Sequence, residues 1–495
     1  MNPPGYVDIM QRHAESGTAI TTPSPTTGMT VPEIARPGIR TLLVAGLALL
    51  ALAGLAACGD GPWNRPYPLK DAGSNTLYSS FSARPNHLDP AQSYSSNEVT
   101  FTGQIYEPPL QYHYLKRPYT LIPLAATQVP EPYYLDAAGN RLPADAAPED
   151  IVHSVYEIEI QPGIRYQPHP AFARDENDRL RYHALTASDL SRIYAPGDFG
   201  HAGTRELVAA DYVYQIKRLA HPRLHSPIFG LMSDYIVGLR EYAEILEQAW
   251  ERQAEGRDDG VYLDLTRYPL TGAAVIDRYR YRITINGKYP QLQYWLAMPF
   301  FAPVPPEVDA FYAQPGMKAR NITLDWYPVG TGPYMLTVNN PNRQMVMERN
   351  PNFHGENYPL EGSKGDLEAG LLEDAGRSMP FIDRIVFSLE KEDIPYWNKF
   401  LQGYYDTSGI TSDSFDQAIS IGAGGEISLT DERAAHGISL STAVSTSIFY
   451  TGFNWLDPVV GGDSESARKL RQAISIAVDF EEFISIFLNG RGIPA

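Results

Sequence analysis

The chain runs to 495 residues with one cysteine, and its 58 acidic against 40 basic side chains give a formal net charge of −18. A single thiol excludes an intramolecular disulfide framework, and so acidic a chain lacks the basic face that nucleic acid or an anionic bilayer demands. The expected ligand is therefore neutral, zwitterionic or cationic, and 32 tyrosines suit recognition through rigid amphipathic rings.

In chain order, residues 1–28 are rich in Pro, Thr and Ser without periodicity, which leaves Met1 and Met29 both open as the start. Arg36 and Arg40 precede an apolar run over 42–57, the layout of an export signal. The run closes on Leu55-Ala56-Ala57-Cys58-Gly59, which resembles the lipobox of bacterial lipoproteins, with Cys58 as the lipid-attachment residue. The alternative is a membrane-spanning anchor, but the run is shorter than the ~20 apolar residues a span requires and carries Gly46 and Gly54. Residues 1–57 are thus read as an extension and signal peptide, and 58–75 as a tether with no apolar period that could pack.

From residue 76 the pattern is mixed α/β. Tyr156, Ile158 and Ile160 alternate with Glu157 and Glu159, and Tyr279, Tyr281, Ile283 and Ile285 alternate with Arg280, Arg282 and Thr284, which predicts strands over 155–160 and 279–285. Further strands are predicted over 334–338, 344–348 and 385–389. A helix is expected over 209–219 and another from 467 onward, where Leu470, Ala473, Ile474, Ala477 and Val478 share a face. Asp479 with Glu482 reads as a cap that restarts that helix, and Asn489-Gly490 closes it. The Gly- and Pro-rich segments 136–148 and 361–376 read as surface insertions.

Enzyme signatures are absent: there is no Gly-x-Ser-x-Gly, no His-Glu-x-x-His and no phosphate loop ending in Gly-Lys-Ser/Thr. His221 and His225 have metal-pair spacing, but Pro222 between them favours loop histidines. Gly422-Ala423-Gly424-Gly425 reads as a plain loop, since no capped helix with basic residues follows. Asp175-Glu176-Asn177-Asp178 lacks EF-hand spacing and reads as a solvated loop. Glu157 and Glu159 could serve a glycosidase, but more simply solvate a strand face. No catalytic residue, metal or cofactor is assigned.

A set of motifs in fixed order does stand out. Leu88-Asp89-Pro90 precedes Ile105-Tyr106-Glu107-Pro108; Ala209-Ala210-Asp211-Tyr212-Val213-Tyr214 leads to Lys217-Arg218-Leu219; Val329-Gly330-Thr331-Gly332-Pro333-Tyr334 precedes Glu348-Arg349-Asn350-Pro351-Asn352-Phe353. Then come Phe381-Ile382-Asp383-Arg384-Ile385 with Leu401-Gln402-Gly403-Tyr404-Tyr405-Asp406, and Asn454 with Arg471-Gln472-Ala473-Ile474 and Ala477-Val478-Asp479. This series resembles family 5 of the solute-binding proteins of bacterial ABC importers, its oligopeptide and dipeptide receptors in particular. Val208 stands where the family has threonine. Read from the residues alone, Gly330 and Gly332 give the turn conformations a β-branched residue resists, and Pro333 fixes entry to a strand.

The resemblance implies a two-lobed periplasmic-binding-protein type II fold with an inserted domain. Lobe I would take 76–117 and 293–410, the inserted domain 118–292, and lobe II 411–495. The family continues past the point where this chain stops, so lobe II is expected to be incomplete, with part of its ligand contacts missing. Cleft-lining candidates are Tyr94, Ser95, Ser96 and Asn97, between the two opening motifs, and Thr407, Ser408 and Gly409, at the first crossing between lobes. The implied function is an extracytoplasmic lipoprotein, monomeric, that binds peptides and delivers them to permease subunits. It would sit in the periplasm on the inner or the outer membrane, held by its lipid. A non-peptide ligand (a nickel chelate, haem or a sugar) and an exported hydrolase are the alternatives.

Overall fold

The computed structural model describes residues 8–11, 67, 73–186, 188–257, 259–422, 427–442 and 447–494. Cys58, the apolar run before it, most of the tether and most of the 422–425 glycine loop lie outside the described residues. The described chain packs as two units, one over Ser74–Lys391 and one over Glu392–Ala495 that also takes in 8–11 and Tyr67. Strand β1 (Asp8–Gln11), within the segment read from sequence as an extension, belongs to this second unit. That unit begins ahead of the Thr411 expected for lobe II.

The first unit carries two sheets, each with its own core. The smaller is built from β2 (Thr76–Phe81) and three strands from much later in the chain. Helix α1 (Ser96–Ile105) packs on it, followed by the short hairpin of β3 (Leu110–Tyr112) and β4 (Leu121–Pro123). The larger sheet starts with β5 (Tyr133–Leu135), β6 (Arg141–Leu142) and β7 (His153–Glu159). The first part of the 136–148 segment, read as an insertion, is thus the turn of a hairpin. Asp136 Oδ1 accepts the backbone N–H of Ala138 and of Asn140, each at 2.8 Å, and Gly139 takes φ 80°. Helices α2 (Ala209–Arg218) and α3 (Leu239–Ala254) cover the sheet, which β8 (Ala273–Val275) and β9 (Arg280–Asn286) complete in the antiparallel order β6-β5-β7-β9-β8.

The alternation read from sequence sets this register. Tyr156 pairs with Ile283 and Ile158 with Tyr281, all buried, while Glu157 and Glu159 face solvent. Tyr212 of α2 stacks on Tyr281 with ring centroids 5.4 Å apart and planes 6° from parallel. Val208 has no hydroxyl with which to cap α2, and the carboxylate of Asp211 carries the cap alone by accepting the Val208 N–H at 3.1 Å. Helix α4 (Pro306–Tyr312) adds Val308 and Phe311 to the same core.

The smaller sheet is finished by β10 (Tyr334–Asn340) and β11 (Gln344–Arg349). A two-residue ladder, β12 (Glu356–Asn357) with β13 (Ser378–Met379), brackets the 361–376 insertion, and β14 (Arg384–Leu389) then returns beside β2. The order is β10-β11-β14-β2, with β14 parallel to β2 and the other pairs antiparallel. Phe101 of α1 seals it edge-on, 6.0 Å from Phe81 and 5.0 Å from Phe387.

In the second unit, α5 (Asp393–Leu401) buries Trp397 and Phe400. Strand β1 lies between β15 (Thr407–Ser408) and a strand over Ile438–Ser441. The helix predicted from 467 is two, α6 (Glu465–Ala477) and α7 (Phe480–Phe487). Asp479 Oδ1 accepts the Glu482 N–H at 2.9 Å, as a cap should, and Asn489 and Gly490 both take positive φ at the end. Leu470 and Ile474, on the apolar face of α6, are each 37 % exposed.

Candidate ligand-binding loop

Residues 86–95 are wound around one carboxylate. Glu98, in the first turn of α1 and 2 % exposed, accepts four backbone N–H groups: Asn86 at 3.0 Å, His87 at 2.9 Å, Tyr94 at 2.8 Å and Ser95 at 3.1 Å. Burial opposes its ionisation, but the donors from Tyr94, His87 and Ser95 outweigh that and hold its pKa below the usual carboxylate value. The Leu88-Asp89-Pro90 motif is fixed from the other side. Arg218 donates to Asp89 at 2.7 and 2.9 Å, to Asp309 at 3.3 Å and to Gln215 at 3.0 Å, with 1 % of its side chain exposed. Asp325 accepts the Asp89 N–H at 3.1 Å and meets His87 Nδ1 at 3.1 Å, and Tyr106 OH donates to Leu88 O. That bond to Asp325 is the main reason the His87 pKa is raised.

Tyr94 emerges from this clamped loop 68 % exposed, its ring 6.3 Å from buried Phe300. Ser96 is exposed beside it. The other two candidates in this group are only partly exposed. Asn97 donates to Ala83 O and Arg84 O, and the buried Ser95 Oγ has no hydrogen-bond partner among the described residues. The second group lies in the other unit: Ser408 is buried in β15 and donates to Gly409 O at 3.0 Å, while Tyr396 OH donates to Thr407 O at 2.8 Å. Tyr94 and Ser96 thus present an aromatic ring and a hydroxyl to solvent from one loop.

The glycines of Val329-Gly330-Thr331-Gly332-Pro333-Tyr334 serve a purpose other than the one read from sequence. Neither has positive φ. A Cβ on Gly330 would run into the Ile105 carbonyl, and one on Gly332 would sit 2.7 Å from Gln104 O. The motif is a close seam against the end of α1, joined by Gly332 N–H to Ile105 O at 2.9 Å and by buried Asn350 Nδ2 to Gly332 O at 2.9 Å.

The remaining sequence candidates settle as loops and surface. His221 lies in a loop but is not exposed as expected: its ring packs 5.5 Å from Trp250, burial pushes its pKa down to about 4, and its Nδ1 accepts the Arg223 N–H, while His225 is exposed with positive φ. Asp175 Oδ1 accepts the N–H groups of Asn177 and Arg179, closing a turn on itself. Among the described residues no three His, Cys, Asp or Glu are grouped to hold a metal ion, and no helix is long and apolar enough to cross a membrane. Glu98, Asp325 and Phe300 were not singled out from sequence. For Glu98 a signal existed, the Ser95-x-x-Glu98 capping box.

The fold is of the periplasmic-binding-protein type II class. The model of bacterial extracellular solute-binding proteins, family 5 Middle, matches residues 201–495, and the chain belongs to that family. The Leu88 and Tyr106 motifs lie ahead of the matched region. No curated protein matches the chain. Among solved structures it is similar to Listeria monocytogenes OppA bound to peptide, with 13 % identity, a TM-score of 0.43, and 70 % of this chain and 48 % of that one covered. It is also similar to Helicobacter pylori DppA in complex with a peptide, with 15 % identity, a TM-score of 0.38, and 67 % and 45 % covered. The chain thus spans about half the length of these structures.

Proposed function

We propose that this chain is the peptide receptor of an ABC importer, exported, held at the periplasmic face of the inner or outer membrane by lipid on Cys58, and delivering oligopeptides to permease subunits. Tyr94 carries the reading: a largely exposed ring on a loop that two buried polar networks hold still. A tyrosine has only two side-chain torsions to immobilise, so a fixed ring gives contact area at small entropic cost. Extended peptides bring backbone donors and acceptors and cationic or zwitterionic ends, which an acidic receptor accommodates through hydrogen bonds, bridging water and ring contact. Thr407, Ser408 and Gly409 are proposed as further cleft lining at the first crossing between lobes, and occupancy would favour closure only through contacts to both lobes.

Mass spectrometry of small molecules released from the protein purified from its own host tests this. Short peptides are expected, and Tyr94→Ala is expected to weaken their binding about tenfold or more, as loss of an aromatic anchor does, with an unchanged melting temperature. Release of no peptide, together with no binding of a di- to pentapeptide library, would sink the proposal.

A further inference from the structure

Apart from the loop, a second polar cluster sits where the segment leaving α1 meets the ladder of β12 and β13. Glu107 is 1 % exposed, and its Oε1 lies 2.8 Å from His354 Nε2. Its Oε2 is buried with no hydrogen-bond partner among the described residues. Glu356 accepts from Gln111 Nε2 and, at 3.0 Å, from Tyr114 OH. Residues 107, 111 and 114 are one stretch around β3, while 354 and 356 belong to the stretch leading into β12.

Its charge is unbalanced. Among the described residues no lysine or arginine pairs with Glu107 or Glu356, and the groups facing them are His354, Tyr114 and, at Glu107, Tyr212, whose OH donates to the Glu107 carbonyl at 3.1 Å. Among the described residues, the cation facing them is a protonated His354. Glu107 is buried, whereas Glu356 and the His354 ring are only partly covered, so the two carboxylates and the imidazole interact with less screening than in bulk water.

We propose that Glu107, His354 and Glu356 form a latch that fastens the segment after α1 to β12 when His354 carries a proton and loosens as that proton leaves. Burial alone would lower the His354 pKa, but its hydrogen bond to Glu107 and the charges of Glu107 and Glu356 hold it above 6.5. Burial raises that of Glu356, and Glu107 adds to the rise against the Gln111 and Tyr114 donors. Both groups therefore bind protons more tightly in the folded chain than in the unfolded one. The contribution of His354 is fully present below pH 6.5 and is lost as pH rises through its folded value. That of Glu356 is lost in the same direction, upward from its ordinary 4.5. An extracytoplasmic protein meets the pH of its medium, so the latch is set by the surroundings.

Proton NMR titration of the imidazoles in the full chain tests this, with His354 assigned by the signal missing from His354→Gln or His354→Asn. The expected midpoint for His354 lies above 6.5, and Glu107→Gln is expected to lower it by about one pH unit or more. Between pH 6 and 8.5 the wild-type melting temperature is expected to fall more steeply than that of His354→Gln. A midpoint at or below 6.5, or parallel melting profiles, would overturn the latch. Should Glu107→Gln fail to fold, the wild-type midpoint alone still decides.

Discussion

Arg218 holds a full positive charge inside the protein because Asp89 and Asp309 flank it, and the three form a unit that tolerates no partial removal. Arg218→Met would leave two buried carboxylates uncompensated, a loss of about 3–5 kcal/mol. Urea unfolding of the variant reads it, and a midpoint equal to wild type would refute the role given to this network. Gly330→Ala acts through crowding, since the new methyl meets the Ile105 carbonyl. It should cost about 1–3 kcal/mol as overpacking with no change of unfolding slope. His169 gives a pH dependence of opposite sign to the latch. It is 3 % exposed among Phe172, Phe311 and Tyr312, and burial pushes its pKa down to about 3. The unfolded chain binds this proton near pH 6.5 and the folded chain does not. Stability is therefore complete above pH 6.5 and drains as pH falls, at a slope approaching about 1.4 kcal/mol per pH unit for this one group. His169→Gln, compared with wild type in urea melts at pH 7.5 and 5, should unfold with a smaller difference between the two pH values. At this scale the sequence displayed Asp89 and Arg218 as motif members but not as partners. A contact across 129 residues leaves no local spacing to read.

Elements were far more legible than contacts, because apolar period is a local property. The predicted strands over 344–348 and 385–389 appear as β11 over Gln344–Arg349 and β14 over Arg384–Leu389, and 209–219 appears as α2. What the pattern could not supply was pairing: β2 and β14 are neighbours in a parallel register from Thr76↔Arg384 to Phe81↔Leu389 although most of the unit lies between them in sequence. Short elements were lost for the opposite reason. Strand β1 spans four residues and the ladder of β12 with β13 two on each side, too few for alternation to rise above chance. The break between α6 and α7 was visible, since Asp479 announced its cap. Asp479→Ala should loosen α7 by about 1 kcal/mol, seen as roughly fivefold faster amide exchange over 482–486 with exchange in α2 unchanged. Equal exchange rates in the variant and wild type would mean that packing, not the cap, holds that helix.

For the whole molecule, the order of motifs identified the family, yet several of those motif residues are closed off from solvent. Asp89, Asp211, Arg218 and Asn350 are buried in hydrogen-bond networks, and the glycine seam closes on α1. Of these, Asp89 and Arg218 fix the start of the Tyr94 loop, Asp211 ties α2 to Arg205 and Tyr166, and Asn350 braces the glycine seam. Cys58 bears on where the proposed receptor would work. One cysteine in 495 residues makes the anchor a single-site question, because no other thiol can take up a thioether-linked lipid. An acyl chain contributes about 0.8 kcal/mol per buried methylene, so two chains on one residue hold a protein at a bilayer that its acidic surface would otherwise avoid. Cells fed labelled palmitate should therefore place label on the wild-type chain and none on Cys58→Ala, and the variant should move from the membrane fraction to the soluble one. Label persisting on Cys58→Ala would refute attachment at Cys58, and an unlabelled wild-type chain would leave the apolar run over 42–57 as the only anchor in that segment.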